Sequence, residues 1–299
     1  MRARTAALVA AAALLVPAAL AGAQAGGSSA ATAAATAATV TAPATAPVTG
    51  NHLVTNLHGA TTGPRRLGFT VFDTGASLSQ VNALPAGVRA LVWLGQKCPT
   101  AADDAFRAKV RALAGTAKVL GYYLSDEPHI ADCPGGPAGL ASRAAFVRSA
   151  TSGRQKSFVM LSKVTDFGPF RPAVSKVDMV GLDPYPCSVP NPTCDLTKID
   201  QRVSAATAAG IPLARIVPTY QVFGQSATPT GTDHYYLQPT AAQLRAMVLR
   251  WGKVVPAPPM DYTYGWGHQD SANPTLVDSL ALQRVLAGYF GGTAPASSR

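Results

Sequence analysis

Val119-Leu120-Gly121-Tyr122-Tyr123-Leu124-Ser125-Asp126-Glu127-Pro128 is the stretch on which the reading of this 299-residue chain turns. Val119 to Leu124 is an apolar run of strand length that stops abruptly at two adjacent carboxylates and a proline. An almost unbroken apolar run belongs to a strand covered on both faces. A carboxylate pair at its end is well placed for acid/base chemistry. Glu127 is also the only glutamate in the chain; the other fourteen acidic residues are aspartates. Glutamate is normally among the commonest residues. The single survivor, at the mouth of a strand, therefore reads as functional rather than incidental.

Outward from this run, the same pattern recurs on both sides. Leu67–Asp73 and Val88–Leu94 precede it; Ser157–Leu161, Val177–Asp183, Ala214–Tyr220 and Met260–Trp266 follow it. Between them lie segments of helical character: Ala102–Leu113, Ala138–Ser149, Asp195–Ala209, Thr240–Val254 and Asn273–Tyr289. Asp103 and Asp104 suit the first turn of one helix, and Gly210 suits the end of another. Leu244, Met247, Val248 and Trp251 recur at helical spacing. Seven strand-like runs alternating with helices imply a parallel sheet. No dinucleotide-binding glycine fingerprint follows the first run, and no phosphate-binding loop is present. The expected fold is therefore α/β, a (β/α)8 barrel of the TIM type, with its eighth strand short and near residues 76 to 84.

In such a barrel the C-terminal strand ends meet at one face. Asp73, Gln96, Asp126, Glu127, Lys163, Asp183, Tyr185, Gln221, Trp266, His268 and Gln269 all lie at or just past those ends. Trp93, Tyr122, Tyr123, Tyr262 and Tyr264 lie near them too. Aromatic faces interleaved with carboxylates and amides suit sugars, which present apolar CH faces and hydroxyl edges. The candidate substrate-binding residues are Asp73, Trp93, Tyr123, Tyr185, Gln221, Tyr264, Trp266 and Gln269.

The flanks of the barrel have a different character. Arg2 and Arg4, an apolar stretch from Ala6 to Leu20 and small residues up to Ala25 predict a secretory signal peptide over residues 1–25. Residues 26–62 are rich in Ala, Thr, Gly, Ser and Pro and read as a flexible linker. The barrel domain is expected over 63–292, with a disordered tail over 293–299. Four cysteines in a secreted chain argue for two disulfides. Cys187 and Cys194 would close a small loop, which leaves Cys98 with Cys133; four cysteines allow three connectivities in all. The net charge is +10, and without Arg2 and Arg4 it is +8. A basic secreted protein is drawn to acidic polysaccharide and anionic wall polymers. The basic residues are scattered, and no aromatic–basic stripe suggests nucleic acid. No stable membrane insertion is expected, because the apolar leader is short.

Tyr122 to Pro128, Asp183-Pro184-Tyr185-Pro186, Tyr220-Gln221-Val222-Phe223-Gly224 and Tyr264-Gly265-Trp266-Gly267 together resemble glycoside-hydrolase barrels. More narrowly, the chain resembles secreted actinobacterial glycoside-hydrolase-like proteins of unassigned activity, over most of residues 67–290. In the large clan of retaining barrel glycosidases the fourth strand ends in Asn-Glu-Pro, and the Glu is the acid/base. Asp126 stands here in the Asn place, so the resemblance implies the acid/base role for Glu127. That clan's nucleophile is a second Glu on the seventh strand. This chain has none, and Gln221 ends the strand where it would be sought.

Any partner carboxylate is therefore an aspartate. Asp183, Asp73 and Asp126 qualify by position, with Asp261 weaker because it starts a strand. Asp183 is the expected choice, since it ends a different strand and can face Glu127 across a cleft. Asp126, as an adjacent negative charge, would help to keep a general acid protonated. The catalytic set is thus Glu127, Asp183 and Asp126, in a secreted, extracellular hydrolase of polysaccharide or oligosaccharide, such as a cell-wall glycan. No metal or other cofactor is implied. Two other readings stay open. One is a non-catalytic carbohydrate-binding barrel, supported by the missing second Glu. The other is a metal-dependent hydrolase using Asp126, Glu127, His129 and Asp183, although no His-x-His or His-Glu-x-x-His pattern is present.

Overall fold

The computed structural model describes residues 50–189, 191, 193–225, 235–269 and 272–296. The expected signal peptide, the expected linker up to residue 49 and residues 297–299 of the expected tail lie outside the described residues. Eight parallel strands form a closed barrel in sequence order: β1 (His52–Val54), β2 (Val71–Thr74), β3 (Arg89–Trp93), β4 (Val119–Asp126), β5 (Lys156–Leu161), β6 (Met179–Leu182), β7 (Ile216–Gln221) and β8 (Asp261–Tyr264). Closure is made by β1 against β8, with Leu53 opposite Tyr262. The helices are α1 (Thr62–Arg66), α2 (Leu78–Asn82), α3 (Asp104–Leu113), α4 (Gly136–Ala150), α5 (Val164–Phe170), α6 (Pro172–Ser175), α7 (Thr197–Ala208), α8 (Ala241–Val254) and α9 (Leu280–Phe290).

The expected eighth strand near residues 76 to 84 is instead the short helix α2. The strand that closes the barrel is β1, inside the stretch read as linker up to residue 62. Three residues, His-Leu-Val, are too few to show a period of two, and their Thr, Pro and Gly neighbours mask them. At the other end, the amide of Thr293 donates to the Arg66 carbonyl at 2.7 Å, so the ordered chain runs past residue 292.

Strand alternation divides the apolar residues into two layers. Leu91 of β3 packs with Leu53, Val71, Phe158 and Met179 in one cluster inside the barrel. Its neighbours Ala90 and Val92 belong to the larger cluster between barrel and helices, with Leu140 of α4 and Val110 of α3. Gly181 of β6 keeps the interior open, because a Cβ there would lie 2.6 Å from the Met160 sulfur. The helices are capped as their sequences suggest. Asp103 accepts from the Phe106 amide at 2.8 Å, and Thr240 with Gln243 forms a capping box on α8. Gly210 follows α7 with φ +88°, a conformation that costs glycine little.

At the N-terminal end of the barrel, His52 Nδ1 and Asp261 Oδ2 pair at 2.6 Å, both buried. The His52 ring stacks on Phe290 at 4.0 Å. Burial raises the Asp261 pKa, and His52 opposes that rise. Asp261 therefore sits at the end of the barrel opposite Glu127 and is no partner for it. Cys98–Cys133 and Cys187–Cys194 are disulfide-bonded, with Cα separations of 5.2 and 4.0 Å. The first ties the segment after β3 to the segment after β4, and the second closes the loop after β6. Among the described residues, no helix is long and apolar enough to cross a membrane.

Candidate active site

The local structure of β4 aims the carboxylates. Its register against β5 shifts between Tyr123 and Ser125, and such irregularities re-aim side chains. Ser125 Oγ then donates to the Gln96 carbonyl at 2.5 Å, tying β4 to the segment after β3. One residue past the strand, the Glu127 amide still donates to the Met160 carbonyl at 3.1 Å. Glu127 holds φ +45°, and Tyr185, just past β6, holds φ +37°. Left-handed backbone is costly for side chains of this size and tends to cluster at functional sites. Here it occurs just past the ends of the two strands that flank β5.

Asp183 follows β6 directly and is only 5% exposed. Its carboxyl and that of Glu127 are in hydrogen-bond contact. Two ionised carboxylates have no proton to share, and Oδ1 of Asp183 has no donor among the described residues. Burial, this hydrogen bond, and the charges of Glu127 and Asp126 together push the Asp183 pKa well above the usual carboxylate range. Asp183 therefore holds its proton more tightly than an ordinary carboxylic acid, and a hydrogen bond between the two carboxyls requires that proton to lie between them. Asp126 opens onto solvent along one edge, while its Oδ1 accepts from the Tyr123 hydroxyl at 2.5 Å. Its pKa is raised by partial burial and by Glu127, against the Tyr123 hydrogen bond.

The remaining predicted residues divide into two groups. Tyr123, Tyr185, Tyr264 and Asp73 join the site. Tyr185 packs edge-on against Phe223 and Tyr236, with centroids 5.1 and 5.3 Å apart. Tyr264 lies 6.3 Å from Tyr185 and nearly parallel to Tyr262. Asp73, at the end of β2, accepts from the Asn56 amide at 3.3 Å, and burial raises its pKa to about 6. Trp93 stands edge-on to Tyr123, remains 45% exposed and lines a separate recess with Gln96, Asp103 and Arg143. Gln269 is exposed and lines a small recess with Asn56, Phe223 and Tyr264.

Gln221 and Trp266 do not join it. Gln221 is fully buried; its Oε1 accepts from the Cys187 amide, and its Nε2 donates to the carbonyls of Cys187 and Leu237. It clamps the loop after β6 to the segment before α8 and has no free hydrogen-bonding group for a substrate. Trp266 is a core residue, packed so closely on Gly63 that a Cβ there would lie 2.8 Å from the indole. Tyr122 also turns away, into the helix layer, and its hydroxyl donates to Gln155 at 2.7 Å. Adjacent residues on a strand face opposite ways, so only Tyr123 of that pair reaches the barrel interior. His129 is held by Asp166 of α5 at 2.9 Å. Among the described residues, no three His, Cys, Asp or Glu side chains are grouped to hold a metal ion.

Sequence reasoning did not single out Tyr236, Asn56, Lys198 or Arg202. Tyr236 bridges to Ser188 in antiparallel fashion, and Lys198 and Arg202 lie on α7. With Tyr185, Tyr235 and Gln225 they line a cleft of about 700 Å³ beside the carboxyl pair. The i, i+4 spacing of Lys198 and Arg202 on one helix face was a legible signal, but nothing in the sequence says what that face meets.

Compared with known proteins, the chain matches no family model and no curated protein. It is similar in structure to a chitinase from Bacteroides thetaiotaomicron, at 10% identity and TM-score 0.54, over 82% of this chain and 97% of that one. It is also similar to an endo-beta-1,3-glucanase of glycoside hydrolase family 128 from Amycolatopsis mediterranei, solved with laminaritriose: 13% identity, TM-score 0.51, 81% and 99% covered. A glycoside hydrolase family 18 N-acetylglucosaminidase from Paenibacillus barengoltzii gives 14%, 0.51, 79% and 98%. At these identities the likeness establishes the shared barrel, a fold that glycosidases use, and not a shared chemistry.

Proposed function

We propose that the chain is a secreted carbohydrate-active hydrolase that cleaves glycosidic bonds, with Glu127 as the general acid and Asp183 as the residue that positions it. The observation that carries this reading is the interaction of the Asp183 and Glu127 carboxyls, at the ends of two strands that flank β5, beside a cluster of aromatic rings. A buried carboxylic acid beside a second carboxyl keeps one proton between them, which a leaving oxygen needs for departure. Tyr185 and Tyr264 supply faces for sugar rings, and Asp126 and Asp73 supply acceptors for hydroxyls. Two disulfides fit an extracellular setting, and the solved neighbours include enzymes named for chitin and β-1,3-glucan.

In this reading Asp183 is not the nucleophile or base expected from its strand-end position. Carboxyl groups are about 5–5.5 Å apart in retaining glycosidases and about 6.5–9.5 Å apart in inverting ones, and the hydrogen bond with Glu127 that helps to raise the Asp183 pKa needs a closer approach than either. Attack therefore falls to another group. Asp73 is one candidate, and a pKa of about 6 suits a base. The other is a substituent of the substrate itself, as in barrel enzymes that work by substrate assistance. The same contact favours a second reading, a binding barrel that holds glycan without cleaving it.

One experiment separates these readings. The purified protein is incubated with chitin, β-1,3-glucan and acidic oligosaccharides, with and without chelator, and new reducing ends are counted. The expected result is hydrolysis of at least one glycan, with Glu127→Gln still binding but slowed by about 10²–10⁴. Asp73→Asn is equally damaging if Asp73 attacks, and mild if the substrate does. Tight binding with no cleavage by the wild type establishes the binding barrel instead. Full activity of Glu127→Gln on a cleaved substrate removes Glu127 from the reaction.

A further inference from the structure

The cleft beside the carboxyl pair has a chemistry that neutral sugars do not require. One wall is Pro184, Tyr185 and Ser188, immediately after Asp183; the facing wall is the α7 surface carrying Lys198, Gln201 and Arg202. Lys198 and Arg202 are half-buried. Among the described residues, no carboxylate lies within ion-pair distance of either one. Lys198 Nζ is held by Ser188 Oγ at 3.1 Å, and Ser188 in turn bridges to Tyr236. The cation is thus fixed against the wall that the Cys187–Cys194 loop and Gln221 clamp in place. Tyr236 joins the two ends of the cleft electrostatically. Burial raises its pKa most, the negative charges of Asp183 and Glu127 add to that rise, and Arg202 lowers it. All three groups therefore act on one ring.

We infer that this cleft is a subsite for a negatively charged sugar residue, whose carboxylate or sulfate is bound by Lys198 and Arg202 while its ring packs on Tyr185 and Tyr236 next to the Glu127–Asp183 pair. This rests on the hydrolase reading for its cleavage step but not for its binding step. An anion here resolves the charge pattern of the site. The glycan's negative group is held at the cationic end, away from Asp126, Glu127 and Asp183, and the next residue is set over the acid. A guanidinium and an ammonium beside a partly buried anion form charge-assisted hydrogen bonds. These are worth on the order of tenfold or more in affinity per cation.

The test measures binding of the whole protein by calorimetry to pairs that differ only in charge. Oligogalacturonate against its methyl ester supplies the carboxylate arm, and carrageenan oligosaccharide against its desulfated form supplies the sulfate arm. The expected result is a preference of about tenfold or more for the acidic member of at least one pair, falling as salt rises. The arm that responds identifies the anion. Arg202→Gln and Lys198→Gln, each checked for an unchanged melting curve, should bring that ratio toward one, and Arg202→Lys should restore part of it. Equal affinity for acidic and neutral members in both arms overturns the inference. So does a preference that survives both glutamine substitutions. Acid-selective binding without cleavage leaves the subsite standing and removes the hydrolase; cleavage of neutral glycan with no acid preference does the reverse.

Discussion

The carboxyl of Asp183, one residue past β6, is hydrogen-bonded to the carboxyl of Glu127, one residue past β4. In the proposed function the pair shares a proton, with Asp183 positioning Glu127. Asp183 is buried and holds its proton to a pH well above the ordinary carboxylate range, chiefly through desolvation. A folded-state pKa above the unfolded one means that the native chain binds more protons, so this group's contribution to stability falls as pH rises above the unfolded value.

Asp183→Asn should therefore leave the fold intact, since the amide can still donate to Glu127. Its melting temperature should match that of the wild type near pH 4 and exceed it increasingly toward pH 8. Turnover on any confirmed substrate should fall, and the alkaline limb of its pH–rate profile should move, as expected for a residue acting through Glu127. Melting curves that stay parallel across this range would show that Asp183 is not protonated in the native protein.

Asp73, at the end of β2, offers a second pH test. Its pKa of about 6 also lies above the unfolded value, again mainly through burial. The sign is the same: the penalty is absent below about pH 4, grows as pH rises through 6, and is complete above it. Asp73→Asn should raise the melting temperature at pH 7.5 and leave it unchanged at pH 4. A stabilisation that is equal at both values would point to packing instead of titration.

Gln221 should behave as a structural residue. Replacing it with alanine leaves the buried Cys187 amide and the partly buried Leu237 carbonyl without these partners. The expected cost is on the order of 3 kcal/mol, from lost hydrogen bonds and a small cavity, read as a lower denaturant midpoint. Loss of glycan binding at full stability would instead return Gln221 to the binding set.

The closing strand gives the fourth prediction. A chain beginning at residue 50 keeps β1, whereas one beginning at residue 61 loses it, together with the His52–Asp261 pair and the stack on Phe290. The shorter chain should lose cooperative unfolding, because Asp261 is left buried without its partner and β2 and β8 become edges. His52→Ala, in the full chain, should cost on the order of 3 kcal/mol by the first effect and the lost packing. Equal melting temperatures for the two truncated chains would mean that β1 contributes nothing to closure.

How much of this was legible from residues alone depends on the length of the signal. The seven long apolar runs, β2 to β8, are visible because a parallel strand covered on both faces must be apolar at nearly every position. The helices between them show their period and their caps. The position of Glu127 and Asp183 at strand ends follows from the same runs, as do the two disulfides from cysteine spacing. β1 was not legible, because three residues carry no period. Nor could the runs say which way each polar end residue turns: Tyr122 and Tyr123, or Gln221 and Asp183, look alike as letters.

The amino-acid sequence by itself determined the barrel class and the strand ends where polar groups gather, because burial on both faces of a strand constrains every residue in it. Only the tertiary structure decided that the Asp183 carboxyl is hydrogen-bonded to that of Glu127, that Gln221 is a clamp, and that Lys198 and Arg202 face the tyrosines of the cleft. Those outcomes depend on a register shift in β4, on left-handed backbone at Glu127 and Tyr185, and on contacts between segments more than thirty residues apart. Such contacts are set by packing across the closed barrel, which no local pattern encodes.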